Sequence, residues 1–332
     1  MSKPVHVIAE MACSHEGDPK IARKIIDAAG AARADAVQFQ IWNLSKTVVP
    51  HHPDYGMLQR IELSPAVWTE LTAYTRERHP QMQIIACVYE SSSVDLCEKL
   101  AVDAYKIHSA DLSNPFLINY VARTNKRIDL SVGASTVVEI QTALDWIRNG
   151  GNDSLWLMYG YQGFPTPTDA IHLDYMAKLK SLFELPVGYQ DHSAGGSDAA
   201  FWLPAAAIGM GVDILEKHIT HDRAFKGIDH EAALNPDEFA RFVEMVRELE
   251  VARGTATPRP FSPQEEKYRK YSKKSLVASR DLPAQHVLSA EDVTYMRGDK
   301  LGFPPDQFSN VVGRTTRHAI PAYYVISGDD LT

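Results

Sequence analysis

Residues 186–219 read PVGYQDHSAGGSDAAFWLPAAAIGMGVDILEKHI. A short strand-like run stands at each end, PVGYQD (186 to 191) and DILEKHI (213 to 219), with a longer, mostly apolar stretch between them. A short β-type run, a longer stretch and another short run are the signature of two parallel strands joined by a crossover. Working outward, the same alternation extends over the first 254 residues. The earlier strand candidates are HVIAEMA (6 to 12), AVQFQIW (36 to 42), QIIACVY (83 to 89), AYKIHS (104 to 109), RIDLSVG (127 to 133) and SLWLMYG (154 to 160). Between and after them lie segments with apolar residues three and four apart, such as IARKIIDAAGAA and PDEFARFVEMVRELEVARG, as an amphipathic helix requires. Eight β/α units in roughly 250 residues predict an α/β fold of the (β/α)8 TIM-barrel type. A doubly wound sheet fits less well, because no G-x-G-x-x-G follows the first strand.

The pattern changes after residue 254. Residues 255–272, TATPRPFSPQEEKYRKYS, are rich in proline and mixed charge and read as a linker. Residues 273–332 carry short apolar runs broken by turns, which predicts a small, mainly β module, too small to stand securely alone.

Composition narrows the function. With 332 residues, 45% of them hydrophobic, the chain has ample material for a large core. A formal charge of −8 argues against nucleic acid as a partner, so any anionic ligand must be met by local groups. Three cysteines, Cys13, Cys87 and Cys97, suit a reducing compartment better than a disulfide framework. The longest apolar stretch, 199–211, is too short to span a bilayer and contains Pro204, and no secretory leader is evident at the start. A cytoplasmic protein with no membrane partner is expected.

In a TIM barrel the chemistry sits at the C-terminal ends of the strands. That rule gathers residues dispersed in sequence. Glu10, His15 and Glu16 follow the first strand, Gln38 and Gln40 end the second, and Lys106 and Ser109 end the fourth. Ser131, then Gln162 and Phe164, then His192 and His218 occupy the mouth above the last four strands. His192 and His218 top two consecutive strands about 4.8 Å apart and are the candidate metal ligands. Two imidazoles leave open coordination positions, as a catalytic site needs. The strand period of two puts Glu216, His218 and Thr220 on one side and Lys217 on the other, facing the helices, where it is expected to be structural. His221, Asp222, Asp229 and His230 lie beyond the strand and are either substrate contacts, supports for the ligands or a solvated loop.

IAEMACSHEGD, ADAVQFQ, YKIHSADLSN, LSVGAST, FPTP, LPVGYQDHSAGG, LEKHITHDRAFKGIDHEAAL and GFPPDQFSNVVGR occur in that order along the chain. Together they closely resemble the sialic acid (N-acetylneuraminate) synthases over essentially the whole length, including their small antifreeze-like (SAF) C-terminal domain. The resemblance implies domains at 1–254 and 273–332. It also implies condensation of phosphoenolpyruvate with an acylated amino sugar, release of phosphate, and Mn or Mg as cofactor. By position, His192 and His218 match the family's metal ligands. Glu16 and Asp111 match acidic residues that contact the sugar or assist proton transfer, while Lys106, Ser109, Ser131 and Gln40 match residues around phosphoenolpyruvate. A homodimer is implied in which the SAF domain of one subunit covers the other's barrel and delivers an Arg to the acceptor; Arg297 is the candidate.

Several positions depart from that family. Gln38 stands in place of a Lys, Gln162 and Phe164 in place of an Asn and a Tyr, Gln190 in place of a Ser, and His108 in place of a small residue. The first four belong to the side that grips the donor. They predict either rebuilt recognition of phosphoenolpyruvate or a less charged keto-acid donor. His108 shares strand parity with Lys106 and is a candidate general acid or extra ligand, or a space-filler. A metal-dependent aldolase of the same fold and a non-catalytic sugar-binding paralogue are the alternative readings.

Overall fold

The computed structural model describes residues 4–332, so the first three residues of the expected 1–254 domain lie outside the described residues. The chain forms two compact units, Met1–Gly254 and Thr255–Thr332.

In the first unit eight parallel strands close into a barrel in sequence order. They are β1 (His6–Glu10), β2 (Ala36–Ile41), β3 (Gln83–Val88), β4 (Ala104–Ile107), β5 (Arg127–Ser131), β6 (Leu155–Tyr159), β7 (Val187–Asp191) and β8 (Ile214–His218). Closure comes from β8 pairing with β1, in a register that sets His6 beside Ile214 and Glu10 beside His218. The expected TIM barrel is therefore the observed fold.

Strand parity sorts the side chains. Outward-facing residues such as Val37, Phe39, Leu130, Tyr189 and Leu215 join the helices in one large core. Inward-facing Ile8, Ala36, Ile85, Ala104, Met158 and Ile214 plug the barrel. A barrel filled by side chains has no pore, so anything bound must sit above this plug. The strands end sooner than their apolar runs suggest. β1 stops at Glu10 because Ala12 turns into the left-handed region at φ 45° and gives its N–H to Glu10 Oε1 at 2.7 Å. Helix starts are marked by side-chain caps, among them Asn114 and the reciprocal Thr136–Glu139 box. Pro204 lies inside the apolar helix Ala199–Gly209. Among the described residues no helix is long and apolar enough to cross a membrane.

The second unit contains an antiparallel pair, β9 (Lys274–Ala278) and β10 (Val293–Arg297), over a core that includes Leu276, Leu288, Val311 and Ile326. The span expected to be a linker holds a helix at Pro263–Ser272. Its start is a capping box: Glu265 N–H donates to Ser262 Oγ while the Glu265 carboxylate accepts from Ser262 N. Proline at the first helical turn and the S-x-x-E spacing were the signal, hidden by the weak apolar periodicity of a fully polar helix.

Candidate active site

At the C-terminal end of the barrel the inward-facing residues of one layer form a continuous polar chain. Lys106 on β4 donates to both oxygens of Glu216 on β8, at 2.5 and 2.6 Å. Gln190 on β7 donates its Nε2–H to Glu216 Oε1 at 3.0 Å and accepts from Ser131 Oγ on β5 at 2.8 Å. Four strands are thus tied by side chains that are all buried. Burial alone would lower the Lys106 pKa, but the Glu216 carboxylate, then Glu10, more than offset it and raise it, so the ammonium is held charged. Gln190 replaces with a single carboxamide what would otherwise be an unlinked gap between Ser131 and Glu216.

A second chain runs along the opposite wall. Tyr89 donates its hydroxyl to Gln40 Oε1 at 3.1 Å, and Gln40 Nε2 donates to Glu10 Oε1 at 3.1 Å. Glu10 Oε2 is buried without a partner among the described residues. Burial, then the nearby Glu216 carboxylate, pushes Glu10 up to about 8 against the pull of Lys106. At neutral pH Glu10 is accordingly a carboxylic acid with one oxygen left over.

Above these layers stand His192 and His218, with ring centroids 5.1 Å apart and planes inclined at 63°. His192 Nδ1 lies 2.7 Å from the Tyr161 carbonyl and donates to it, which leaves the Nε2 lone pair free. His218 Nδ1 is buried with no partner among the described residues. Burial lowers the pKa of both rings, so both are neutral, the form that ligates metal ions. The Phe164 ring meets His192 edge-on at 4.5 Å and His218 at 5.8 Å, and is 46% exposed, so it roofs the pair. Among the described residues no group of three or more His, Cys, Asp or Glu converges as a metal cage. The two imidazoles therefore fit an ion whose other positions are filled by water or substrate, not a closed structural site.

The mouth is a cavity of about 160 Å³ whose wall includes Lys106, Gln162, Phe164, His192 and His218, with Asp229 from the loop after β8. His108 also lines it, leaning on Tyr89 at 6.0 Å. Its Nδ1 accepts the Ala110 N–H at 3.2 Å, so the neutral ring carries its proton on Nε2 and presents a donor rather than a ligand lone pair. Burial lowers its pKa to about 4. Gln162 fits because position 133 is glycine; a Cβ there would stand 2.5 Å from Gln162 Nε2.

Other expected site residues lie elsewhere. Gln38 faces into the barrel but sits below the cavity wall, fully buried, with neither side-chain polar atom partnered among the described residues. Glu16 takes a left-handed turn at φ 52° and its Oε1 accepts the Ile228 N–H at 2.7 Å, 3.7 Å from His230 Nε2. Ser109 and Asp111 form a short 3-10 turn after β4, where Asp111 accepts from Asn114 at 2.9 Å; neither lines the cavity. Arg297 is exposed on β10 of the second unit. The polar cluster after β8 divides: Asp229 reaches the cavity, Asp222 caps the turn Arg223–Phe225, and His230 is buried against Thr220. All three cysteines are free and buried; Cys87 lines the mouth, but burial pushes its thiol up to about 12. Tyr89 is the part of the site that sequence reading did not name; Glu10, placed at the mouth, and Glu216, placed on the face of His218, were given no role there. Strand parity was the available signal, since it sets Glu216 beside His218 and Tyr89 beside Cys87.

The family model described as NeuB family matches residues 25–258, and the SAF domain model matches residues 273–332. The chain belongs to the NeuB family. An uncharacterized protein of Methanocaldococcus jannaschii is 30% identical over 99% of this chain and 95% of its own length. The N,N'-diacetyllegionaminic acid synthase of Campylobacter jejuni is 29% identical over 89% of this chain and 91% of its own. Among solved structures, the N-acetylneuraminic acid synthetase of Leptospira borgpetersenii in complex with citrate superposes with a TM-score of 0.73 at 27% identity, covering 80% of this chain and 92% of that one. The NeuB match covers the barrel from its first helix through the last, and the SAF match covers the small second core.

Proposed function

We propose that this protein is a synthase that joins phosphoenolpyruvate to the aldehyde carbon of an acylamino sugar, releasing phosphate and giving a nonulosonic acid. The observation that carries the reading is the pair of neutral imidazoles, His192 and His218, standing over the Lys106–Glu216 layer at the barrel mouth. Family membership and the synthase names of the relatives point to the same chemistry.

His192 Nε2 and the His218 ring would hold a divalent ion, Mn or Mg, which when bound supplies Lewis-acid polarisation of the acceptor carbonyl. The chain's own groups do the rest. Lys106 offers the one ammonium on the cavity wall among the described residues and pairs with a donor anion as its hold on Glu216 is shared. Glu10 Oε2, protonated at neutral pH and unpartnered, donates to a ligand oxygen, and His108 Nε2–H is a second neutral donor. Phe164 excludes water from the imidazole pair. Gln40 and Ser131 hold the two polar chains in register, with Gln162 as a further donor at the rim. Glu16, Asp111 and Ser109 act from the surrounding loops, on the sugar or on the proton relay. A dimer in which Arg297 serves the acceptor of the second subunit belongs to the same proposal; gel filtration of the full chain against a chain ending at Gly254 tests it, and an unchanged elution state overturns it.

The test of the reaction is phosphate release with Mn2+, phosphoenolpyruvate and a panel of N-acyl hexosamines, with product masses read by mass spectrometry. A product equal in mass to donor plus sugar plus one water less phosphoric acid is expected for at least one sugar; no phosphate release with any sugar overturns the proposal. One observation favours a second reading, an aldolase using a keto acid such as pyruvate. The wall cation Lys106 is already paired with Glu216, and Gln38 is neutral and below the cavity. Turnover with pyruvate and none with phosphoenolpyruvate would select it.

A further inference from the structure

We infer that the Lys217–Asp191 pair, on the outer face of β7 and β8, is the positioning element that fixes the separation of the two imidazoles on the inner face. This rests on the reading of His192 and His218 as metal ligands. Asp191 and Lys217 are register partners, one residue removed from His192 and His218 respectively. Consecutive strand residues point to opposite faces, so the ion pair stands directly behind the two rings. Lys217 Nζ donates to Asp191 Oδ2 at 2.7 Å, and both side chains are buried among the helices.

The same carboxylate holds more than the lysine. Asp191 Oδ2 accepts from Ser193 Oγ at 2.9 Å, while Oδ1 accepts from Ser193 N at 2.9 Å and from the Tyr189 hydroxyl at 3.1 Å. The residues on both sides of His192 are therefore tied to one anchor, and through Lys217 that anchor reaches the residue before His218. His218 needs such support. Its Nδ1 has no hydrogen-bond partner among the described residues, so its ring is placed by where β8 puts the backbone, whereas His192 is also held by the Tyr161 carbonyl. Stability alone is a poor reason for the pair, because buried ion pairs are often replaced by apolar residues without loss. A fixed geometry for two ligands on adjacent strands is something an apolar pair would not supply. Groups hydrogen-bonded to metal ligands typically govern metal affinity by about tenfold to a hundredfold, and this pair, which bonds neither imidazole, acts on the same scale through the backbone that carries them.

The experiment is Mn2+ titration of the full-length protein, followed by the electron paramagnetic resonance signal of free Mn2+. It compares the unmodified chain, His218→Ala, the near-isosteric double variant Asp191→Asn/Lys217→Met, and a control, Asp35→Asn/Arg247→Met, which removes a pair joined at 2.6 Å at the far end of the barrel. The unmodified chain should bind Mn2+ and His218→Ala should not. The Asp191/Lys217 variant should keep its circular dichroism spectrum and bind about tenfold to a hundredfold more weakly, with the control unchanged in affinity. Unaltered affinity in the folded double variant, or equal weakening in the control, overturns the positioning role. Absence of Mn2+ binding by the unmodified chain, or its retention by His218→Ala, instead overturns the metal reading beneath it. Should the double variant not fold, Lys217→Gln breaks the ion pair while keeping a polar arm and leaving the Asp191 bonds to Ser193 and Tyr189 in place; it is expected to weaken Mn2+ binding, and unaltered affinity there overturns the inference.

Discussion

Lys106 and Glu216 form a buried pair bonded through two short contacts, an arrangement in which each group is tolerable only because of the other. Lys106→Met should leave Glu216 as an isolated buried carboxylate and cost about 3–5 kcal/mol of stability, measured by denaturant unfolding, together with loss of turnover. Glu10 behaves differently. Its folded-state value of about 8 lies above the ordinary 4.5, so the folded chain keeps a proton that the unfolded chain gives up. Its contribution to stability is complete below pH 4.5 and is lost as pH rises toward about 8. Glu10→Gln, which has no proton to lose, should therefore gain on the unmodified chain between pH 5 and pH 8 in urea titrations; a difference independent of pH would show that Glu10 is ionised throughout. The sequence pointed to Lys106, His192 and His218 because they end strands. It put Glu10 at the mouth and Glu216 on the face of His218 but gave neither a role, because a carboxylate lower in the pleat becomes a site residue only when a cation on a strand 110 positions away closes on it.

At the scale of elements, the loop after β8 works because it approaches another loop closely. A Cβ on Gly227 would run into the Glu16 carboxylate, whose Oε1 accepts the Ile228 N–H. Gly227→Ala should displace Glu16 and cost about 1–3 kcal/mol as an overpacked contact, seen as a lower urea midpoint at unchanged slope. If Glu16 serves the acceptor, KM for the sugar should rise with it. The order of the strands was plain in the alternation of short and long segments. Their ends were not, since Ala12 leaves β1 through a left-handed turn that an apolar run does not announce. The helix Pro263–Ser272 shows the converse: its local capping signal was sound, but its all-polar surface lacked the periodicity by which helices are usually recognised.

For the whole molecule, burial of neutral imidazoles sets the acid limit. His6, His15 and His108 are each lowered by burial from 6.5 to about 4. Because the unfolded chain takes up these protons first, stability is fully present above pH 6.5 and falls as pH drops toward about 4. Urea midpoints should decline across that window; a flat profile there would mean that the rings are solvated.

The sequence by itself determined the barrel, its eight strands, the face on which each inward residue lies and the pair of histidines that top β7 and β8. Periodicity and strand order are local properties, and a parallel barrel converts them into position with little freedom left. Only the tertiary structure decided which polar groups meet: that Glu216 takes Lys106, that Gln190 bridges it to Ser131, that Glu10 keeps a proton, and that Gln38 lies below the mouth while Glu16 turns toward Ile228. Those outcomes depend on contacts across strands and loops far apart in the chain and on the loss of water around them, neither of which is written in any one stretch of residues.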